Sequence, residues 1–428
     1  MTDTLLVILD DVVAGTVTRL SGGRLRFEYD ASYQERGGHT PLSLSMPVQV
    51  RSHPDQQINP WLWGLLPDNE QVLRRWGREF HVSASSAFSL LATPIGEDCA
   101  GAVRFAPPDE LERVLGRTGE VTWLTEDDVA GRLRELREDS TAWLGQSFTG
   151  QFSLAGAQAK TALLFDGNRW GVRSGPIPTT HVLKPAIAGL DDHDLNEHLC
   201  LDAARRAGLI AARSAIAQFV DETAVVITRY DRTEVADKGI ARVHQEDLCQ
   251  ALGVPPSAKY QNEGGPTPAR IARLFRDAMT PQAGRDAVRR FADALIWNWL
   301  IGGTDAHAKN YSVLLAGNQV RLAPLYDIAS ALAYGTHERK LRLAMKIGTS
   351  YDVYLQRNRW PDAARDLGLD AEALVERARE LARIAPDAFA DAVSAPDVVA
   401  LRRELPGRLL DLVADRASRC LTLLSEHG

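Results

Sequence analysis

The sequence predicts an α+β protein in which a mixed, strand-bearing lobe precedes a helical lobe. Two observations predict it. Short apolar runs set off by turn signals fill the chain as far as Thr228. Beyond that, apolar residues recur at three- and four-residue steps, as in Val288, Phe291, Ala292, Leu295 and Trp299, and again in Leu409, Val413, Ala417, Cys420 and Leu424. The length of 428 residues suits two or three domains or subdomains, and 45% apolar with 25% charged residues excludes disordered and collagen-like chains.

The elements follow in order. Leu5 to Leu9 is a short apolar strand ended by Asp10-Asp11. Thr16 to Leu20 and Leu25 to Tyr29 flank the turn Ser21-Gly22-Gly23. Trp61 to Phe80 reads as two helical pieces, with Pro67, Asp68, Asn69 and Glu70 forming a cap between them. Gly96 to Gly101 is a loop, Val103 to Phe105 a strand, and Pro107-Pro108 a boundary. Ser147 to Lys184 has the pattern of a β-meander. Its expected strands are Gln151 to Leu154, Thr161 to Phe165, Trp170 to Val172 and Thr180 to Leu183, with Asp166-Gly167 as a hairpin signal. Asp194 to Gly208 is an amphipathic helix with a glycine stop, and Ala224 to Thr228 a buried strand. The helix through Trp299 stops at Gly302-Gly303, and Ser312 to Leu315 is a short strand.

Several classes drop out. A formal net charge of -7 argues against a polyanion binder. No recognition-helix motif stands out. The cysteines (Cys99, Cys200, Cys249, Cys420) show no C-x-x-C, so neither a disulfide framework nor a zinc site is indicated. No apolar run approaches the ~20 residues that span a bilayer. No basic segment precedes the first apolar stretch, so the expected location is cytoplasmic. The histidines have no metal-ligand spacing, and no Gly-x-Ser-x-Gly elbow is present.

The sharpest chemical signal is Thr304-Asp305-Ala-His307-Ala-Lys309-Asn310, on a loop between a buried helix and a short strand. A carboxylate and an amide at this Asp-x-x-x-x-Asn spacing match a phosphotransferase catalytic loop. The carboxylate accepts a hydroxyl proton at the reacting phosphate, and the amide oxygen binds a hard cation. Asp327, after an expected strand pair, suits a second Mg²⁺ ligand. Upstream, Lys184 at a strand end and Glu197 on the following helix suit a phosphate-binding lysine and its ionic partner. Gly156-Ala-Gln-Ala-Lys160-Thr161 imitates a Walker A motif. It lacks the required glycines and joins two strands, so a P-loop is rejected while a flap over phosphate is retained.

Taken in order, these residues resemble the HipA toxin kinases. The resemblance runs through Phe152-Ser153-Leu-Ala-Gly156-Ala-Gln158-Ala-Lys160-Thr161, then Thr180-His181-Val-Leu-Lys184, Asn196-Glu197 and Thr228-Arg229-Tyr230-Asp231-Arg232. It continues through Gln245-Glu246-Asp247, Lys259-Tyr260 ahead of Gly264-Gly265, the Asp305 loop and Leu325-Tyr326-Asp327. Near the N-terminus, Leu42 to Pro47, Leu65-Leu66-Pro67 and Gly96 to Ala102 fit the same family, so the match covers nearly the whole chain.

The resemblance implies a two-lobed protein-kinase-like fold related to phosphoinositide kinases. It implies a HipA-type N-terminal subdomain over 1–110, a nucleotide-binding β-rich lobe over 120–232 and a helical catalytic lobe over 233–428. ATP and Mg²⁺ are implied cofactors. The implied substrate is a translation component, an aminoacyl-tRNA synthetase. The implied partner is a small DNA-binding antitoxin of the HipB kind, through which operator DNA is reached. By the family pattern Asp305 is the proton acceptor, Asn310 and Asp327 hold Mg²⁺, and Lys184 contacts phosphate. Ala155, Gly156, Ala157, Gln158, Ala159 and Lys160 form the flap, and Thr228, Arg229 and Tyr230 the adenine hinge. His307, Ala308, Lys309 and Tyr326 complete the ATP site, and Ser153 is the autophosphorylated serine. Ala159 and Thr228 depart from the family, whose members carry Glu there. A small-molecule or lipid kinase on the same framework is the alternative reading, and a nucleotide-binding scaffold without turnover is a third.

Overall fold

The computed structural model describes residues 3–116, 119–144, 152–235, 239–335 and 338–425. Strands β1 (Thr4–Leu9), β2 (Val12–Arg19), β3 (Leu25–Tyr29), β4 (Ser52–Pro54) and β5 (Arg104–Ala106) form an antiparallel sheet in the order β4-β3-β2-β1-β5. Asp10 and Asp11 both take left-handed backbone at the β1–β2 turn, the conformation a two-residue hairpin requires. Helices Asp55–Leu65 and Glu70–Glu79 bury Trp61 and Trp76 in the core this sheet shares. Asn69 caps the second helix by accepting from the Gln71 N–H, so the break read in the sequence is present.

The second sheet holds β6 (Val121–Leu124), β7 (Thr161–Phe165), β8 (Trp170–Arg173), β9 (His181–Pro185), β10 (Ser214–Phe219) and β11 (Glu222–Thr228), in the order β10-β11-β9-β7-β8-β6. It is not a simple meander. The β7–β8 hairpin forms, but β9 crosses back to the far side of β7, pairing Thr161 with Leu183. Of the expected strand Gln151 to Leu154, the described residues form no strand. Gln151 lies outside the described residues, and Ser153 makes only an isolated parallel bridge to Cys99, donating its N–H to the Asp98 carbonyl at 2.9 Å. That backbone is spent on the N-terminal unit and not on the sheet. Helix Glu126–Glu138, started by a Thr125/Asp128 capping box, covers the sheet with Val129 and Leu133 against Leu163 and Leu183.

Past the hairpin β12 (Arg232–Val235) and β13 (Gly239–Arg242), the chain is mainly helical, but it carries a further sheet. Strands β14 (His244–Asp247), β15 (Ser312–Ala316) and β16 (Gln319–Leu322) pair antiparallel in that order. Helix Pro281–Ile301 is capped by Thr280, has Pro at its first position, and ends on Gly302 in left-handed conformation. It packs in one core with helices Ala371–Val393 and Leu405–Ser425. Helix His193–Arg206 directs Leu195, Leu199 and Cys200 into that same core, so it ties the second sheet to the helical lobe. The cysteines are free and buried. Among the described residues, no helix is long and apolar enough to cross a membrane.

Candidate active site

The site begins where helix Pro281–Ile301 stops. A Cβ on Gly303 would fall 2.2 Å from Asn298 Oδ1, so any side chain here would have to displace the buried Asn298 side chain. The loop that follows folds on itself. The Asp305 carbonyl accepts from the His307 N–H and from Asn310 Nδ2, both at 2.8 Å. The Asp305 side chain stays exposed while His307, Lys309 and Asn310 are buried. Tyr260 donates its hydroxyl to Asp305 Oδ1 at 2.5 Å.

Facing this loop, Lys184 at the end of β9 donates to Glu197 Oε1 at 2.7 Å and to Asp327 Oδ1 at 2.8 Å. Asp327 sits just past the β15–β16 hairpin with φ of +56°, a strained setting for a side-chain-bearing residue that aspartate tolerates better than most. Burial alone would raise its carboxyl; Lys184 and Lys160 outweigh burial and hold it well below the usual carboxylate range. Glu197 is pushed up by burial, in part offset by Lys184. Lys160 donates to the Ala155 carbonyl at 2.6 Å and lies 5.1 Å from the Trp143 ring centre. Burial, then repulsion from Lys184, brings its ammonium down to about 8.

These groups open on one cavity of about 570 Å³. Of the residues expected at the site, Ala155, Gly156, Ala157, Gln158, Lys160, Lys184, Thr228, Arg229, Tyr230, Asp305, His307, Lys309, Asn310, Tyr326 and Asp327 line it. Three do not: Ala159 packs on the N-terminal core, Ala308 is sealed in the helical-lobe core, and Ser153 is fully buried with its hydroxyl donated to the Leu65 carbonyl at 2.8 Å. Arg229 borders the cavity, yet its guanidinium is committed elsewhere, to Asp231 at 2.8 Å, the Cys99 carbonyl at 2.9 Å and Thr179 Oγ1 at 2.9 Å. Tyr326 donates to the Lys309 carbonyl at 2.7 Å and so buttresses the Asp305 loop.

Sequence reasoning missed Asp68. This carboxylate from the N-terminal unit accepts from Lys259 Nζ at 2.8 Å and pairs with Lys309 of the Asp305 loop. Its backbone N–H donates to the Gly156 carbonyl of the flap at 3.1 Å. The one local signal was its place directly after Leu65-Leu66-Pro67.

The residues present fit a nucleotide and a hard cation. Two buried lysines face the space a polyphosphate would fill. Asn310 spends its Nδ2 on the Asp305 carbonyl, which leaves its side-chain oxygen as an acceptor on the same cavity that Asp327 lines. Among the described residues no group of three or more His, Cys, Asp or Glu could hold a metal by itself. Mg²⁺ binds through one or two side-chain oxygens together with substrate phosphates and water.

Residues 152–389 match the HipA-like C-terminal domain, and residues 5–106 the HipA N-terminal domain. Y4mE of Sinorhizobium fredii is 34% identical over 388 residues, covering 90% of each chain. The serine/threonine-protein kinase toxin HipA of Shewanella oneidensis is 28% identical over 411 residues, covering 91% of this chain and 89% of the relative. The solved structure of Shewanella oneidensis HipA with HipB and its operator DNA superposes with a TM-score of 0.83 at 25% identity, covering 98% of both chains. With both domain models matched in order, and with the fold and length of its relatives, the chain belongs to the HipA family.

Proposed function

We propose that the chain is an ATP- and Mg²⁺-dependent serine/threonine protein kinase that acts as the toxin of a toxin–antitoxin pair. The observation that carries this reading is the Lys184–Glu197–Asp327 ion triad on one wall of the cavity, with Asp305 and Asn310 on the facing loop. Asp305 accepts the proton of the acceptor hydroxyl. Lys184, held by its two carboxylates, presents a fixed positive charge to nucleotide phosphate, and Lys160 adds a second. Asn310 and Asp327 hold Mg²⁺, which neutralises charge developing on the phosphates when it is bound. Val182, Ile227 and Leu154 give the cavity an apolar end for adenine, with the hinge backbone of Thr228 to Tyr230 at its edge. Because hinge contacts use backbone, neither Thr228 nor the commitment of Arg229 to Asp231 disables this role.

On the family resemblance we assign as substrate a translation component, an aminoacyl-tRNA synthetase. We assign as partner a small DNA-binding antitoxin, through which operator DNA is reached. The structural relative solved with HipB and operator DNA supports this. We keep the division into units 1–110, 120–232 and 233–428, in which Asp68 and helix His193–Arg206 serve as ties across the joins.

We also propose autophosphorylation of Ser153. Its hydroxyl is buried against the Leu65 carbonyl, so the segment must leave its seat on the N-terminal unit to be modified. A phosphate of about -1.5 to -2 charge has no room in that seat, so modification would hold the flap out. The test is incubation of cell lysate with labelled ATP and either wild type or Asp305→Asn, followed by phosphopeptide mapping. A discrete labelled protein band with wild type alone, and phosphate on Ser153 of wild type alone, is the expected result. Label confined to small molecules would favour the small-molecule or lipid kinase, and no ATP consumption would leave only a nucleotide-binding scaffold.

A further inference from the structure

The segment between two short 3₁₀ turns, Pro256–Ala258 and Gln261–Glu263, carries Lys259 and Tyr260. Its backbone is tightly determined. The Tyr260 carbonyl accepts from the Glu263 N–H at 3.0 Å and the Gly265 N–H at 2.9 Å. A Cβ on Gly265 would meet the Ala258 and Tyr260 carbonyl oxygens at 2.4 and 2.6 Å, and Gly264 has φ of +89°. From this base the two side chains grip the catalytic loop at several points. The Lys259 carbonyl accepts from the Ala308 N–H at 3.3 Å, and its ammonium shares Asp68 with Lys309. The Tyr260 ring meets His307 edge to face at 4.9 Å, and its hydroxyl reaches Asp305 Oδ1 at 2.5 Å.

We propose that Tyr260 is a positioning residue for phosphoryl transfer: its phenol fixes the Asp305 carboxylate so that one oxygen is bound and the other faces the acceptor hydroxyl. Asp305 is exposed on a loop, and its backbone contacts to His307 and Asn310 fix the carbonyl but not the side-chain torsion. The phenol supplies that missing restraint. Lys259, Asp305 and His307 line the cavity and Tyr260 does not, so its hydroxyl reaches Oδ1 from outside that lining. The opposite reading, a phenol that competes with substrate for Asp305, predicts the opposite sign on removal.

This inference rests on Asp305 being the proton acceptor. Tyr260→Phe keeps the ring on His307 and nearly all the volume, so the fold is spared. A hydrogen bond to a charged group is worth about tenfold to a hundredfold in rate when it acts only on the productive geometry. The experiment measures phosphate incorporated into lysate protein at varied ATP for wild type, Tyr260→Phe, Asp305→Asn and the double variant, with ATP affinity by calorimetry and Tm for each. The expected result is kcat down about tenfold to a hundredfold in Tyr260→Phe, with KM for ATP, ATP affinity and Tm unchanged. The expected double variant is no slower than Asp305→Asn alone, because the phenol acts through the carboxylate. Unchanged or raised kcat in Tyr260→Phe, or an equal further loss on the Asp305→Asn background, overturns the proposal. Wild-type rates in Asp305→Asn would instead overturn the assignment of the loop.

Discussion

Two buried ionic clusters in this molecule use the same ingredients to different ends. One centres on Asp98 of the N-terminal unit. Its Oδ1 accepts from Arg232 at 3.0 Å and Arg242 at 3.4 Å, and its Oδ2 from the Thr179 hydroxyl at 2.6 Å and the Thr179 N–H at 3.2 Å. Asp231 fills the remaining space, bound to Arg229 and to the Gly101 N–H at 2.7 Å. The other is Lys184 with Glu197 and Asp327. There Glu197 Oε2 is buried without a hydrogen-bond partner, Asp327 keeps 34% of its side chain exposed, and its backbone is strained. The first cluster commits nearly all of its polar atoms to partners inside the joint, with Arg242 Nε left over, so it joins the N-terminal unit to strands β12 and β13 while Arg229 and Asp231 only border the cavity. The second is left incomplete and strained on the side that faces the cavity, which is how a fold stores binding capacity.

The sharpest way to break that contrast is to remove one carboxylate from each cluster. Asp327→Ala should abolish Mg²⁺-dependent nucleotide binding in calorimetry and leave no measurable phosphotransfer. Asp305→Asn should lose ~10²–10⁴ in rate while still binding ATP. Asp305→Asn should keep a Tm near wild type, because its side chain is exposed and nearly isosteric, whereas Asp327→Ala leaves the buried Lys184 with Glu197 alone and should lower the Tm without unfolding the protein. Asp98→Ala should behave in reverse. Stranding Arg232, Arg242 and their neighbours is expected to cost about 3–5 kcal/mol in chemical denaturation. ATP affinity of the folded fraction should stay within about threefold, a change of under ~1 kcal/mol. If Asp98→Ala proves inactive but fully stable, the closed cluster belongs to the site and the contrast fails.

The same contrast explains what was legible in the sequence. Helix Pro281–Ile301, its Gly302-Gly303 stop and the Asp166-Gly167 hairpin could be read because their causes are local: period, cap and turn residue. Asp305, Asn310 and Asp327 could be singled out because phosphotransfer chemistry calls for those residue types, the first two five positions apart on one loop, and the fold brings all three to one cavity. Asp68 and Lys309, by contrast, meet across 241 positions, and Asp98 and Arg229 across 131. No local pattern encodes such a pairing. The resemblance assigns Thr228, Arg229 and Tyr230 to the hinge and gives Asp231 and Arg232 no role, while the folded chain commits the side chains of Arg229, Asp231 and Arg232 to the joint around Asp98. The crossing of β9 past β7 was missed for a related reason, since strand order is set by where the connection packs.

A pH titration sharpens the comparison at lower amplitude. Burial alone would raise Asp98 and Asp231, but the surrounding arginines outweigh it, holding Asp98 well below the usual carboxylate range and Asp231 down to about 2. A depressed folded-state pKa gives stability that is complete above the unfolded value of ~3.9 and is lost as pH falls below it. Wild type should therefore show stability that declines steeply below about pH 4, read from denaturant midpoints, whereas Asp98→Asn starts less stable and declines less steeply over the same interval. Parallel curves would show that another carboxylate governs the acid limb.

The smallest expected effect lies between the two clusters, at the flap. Gly156 has φ of +110°, and its carbonyl accepts from the Asp68 N–H, which joins the flap to the carboxylate that also holds Lys309. A Cβ there would meet only the tip of Lys160, at 2.8 Å. That tip is the end of a flexible chain and can move, so the cost of Gly156→Ala is set by the backbone and not by collision. Left-handed backbone costs a side-chain-bearing residue about 1–2 kcal/mol. The strain is relieved only if the flap leaves its seat, so the seated flap should lose that much relative to a released one. Moving Lys160 also displaces a cation that faces phosphate. ATP affinity should fall about five- to thirtyfold, and protease cleavage within residues 152–160 should accelerate, while the Tm, set by cores that Gly156 does not touch, stays within about 2 °C. Lowered affinity without faster cleavage would place the effect on Lys160 alone. Faster cleavage at unchanged affinity would show that the seated flap makes no contribution to nucleotide binding.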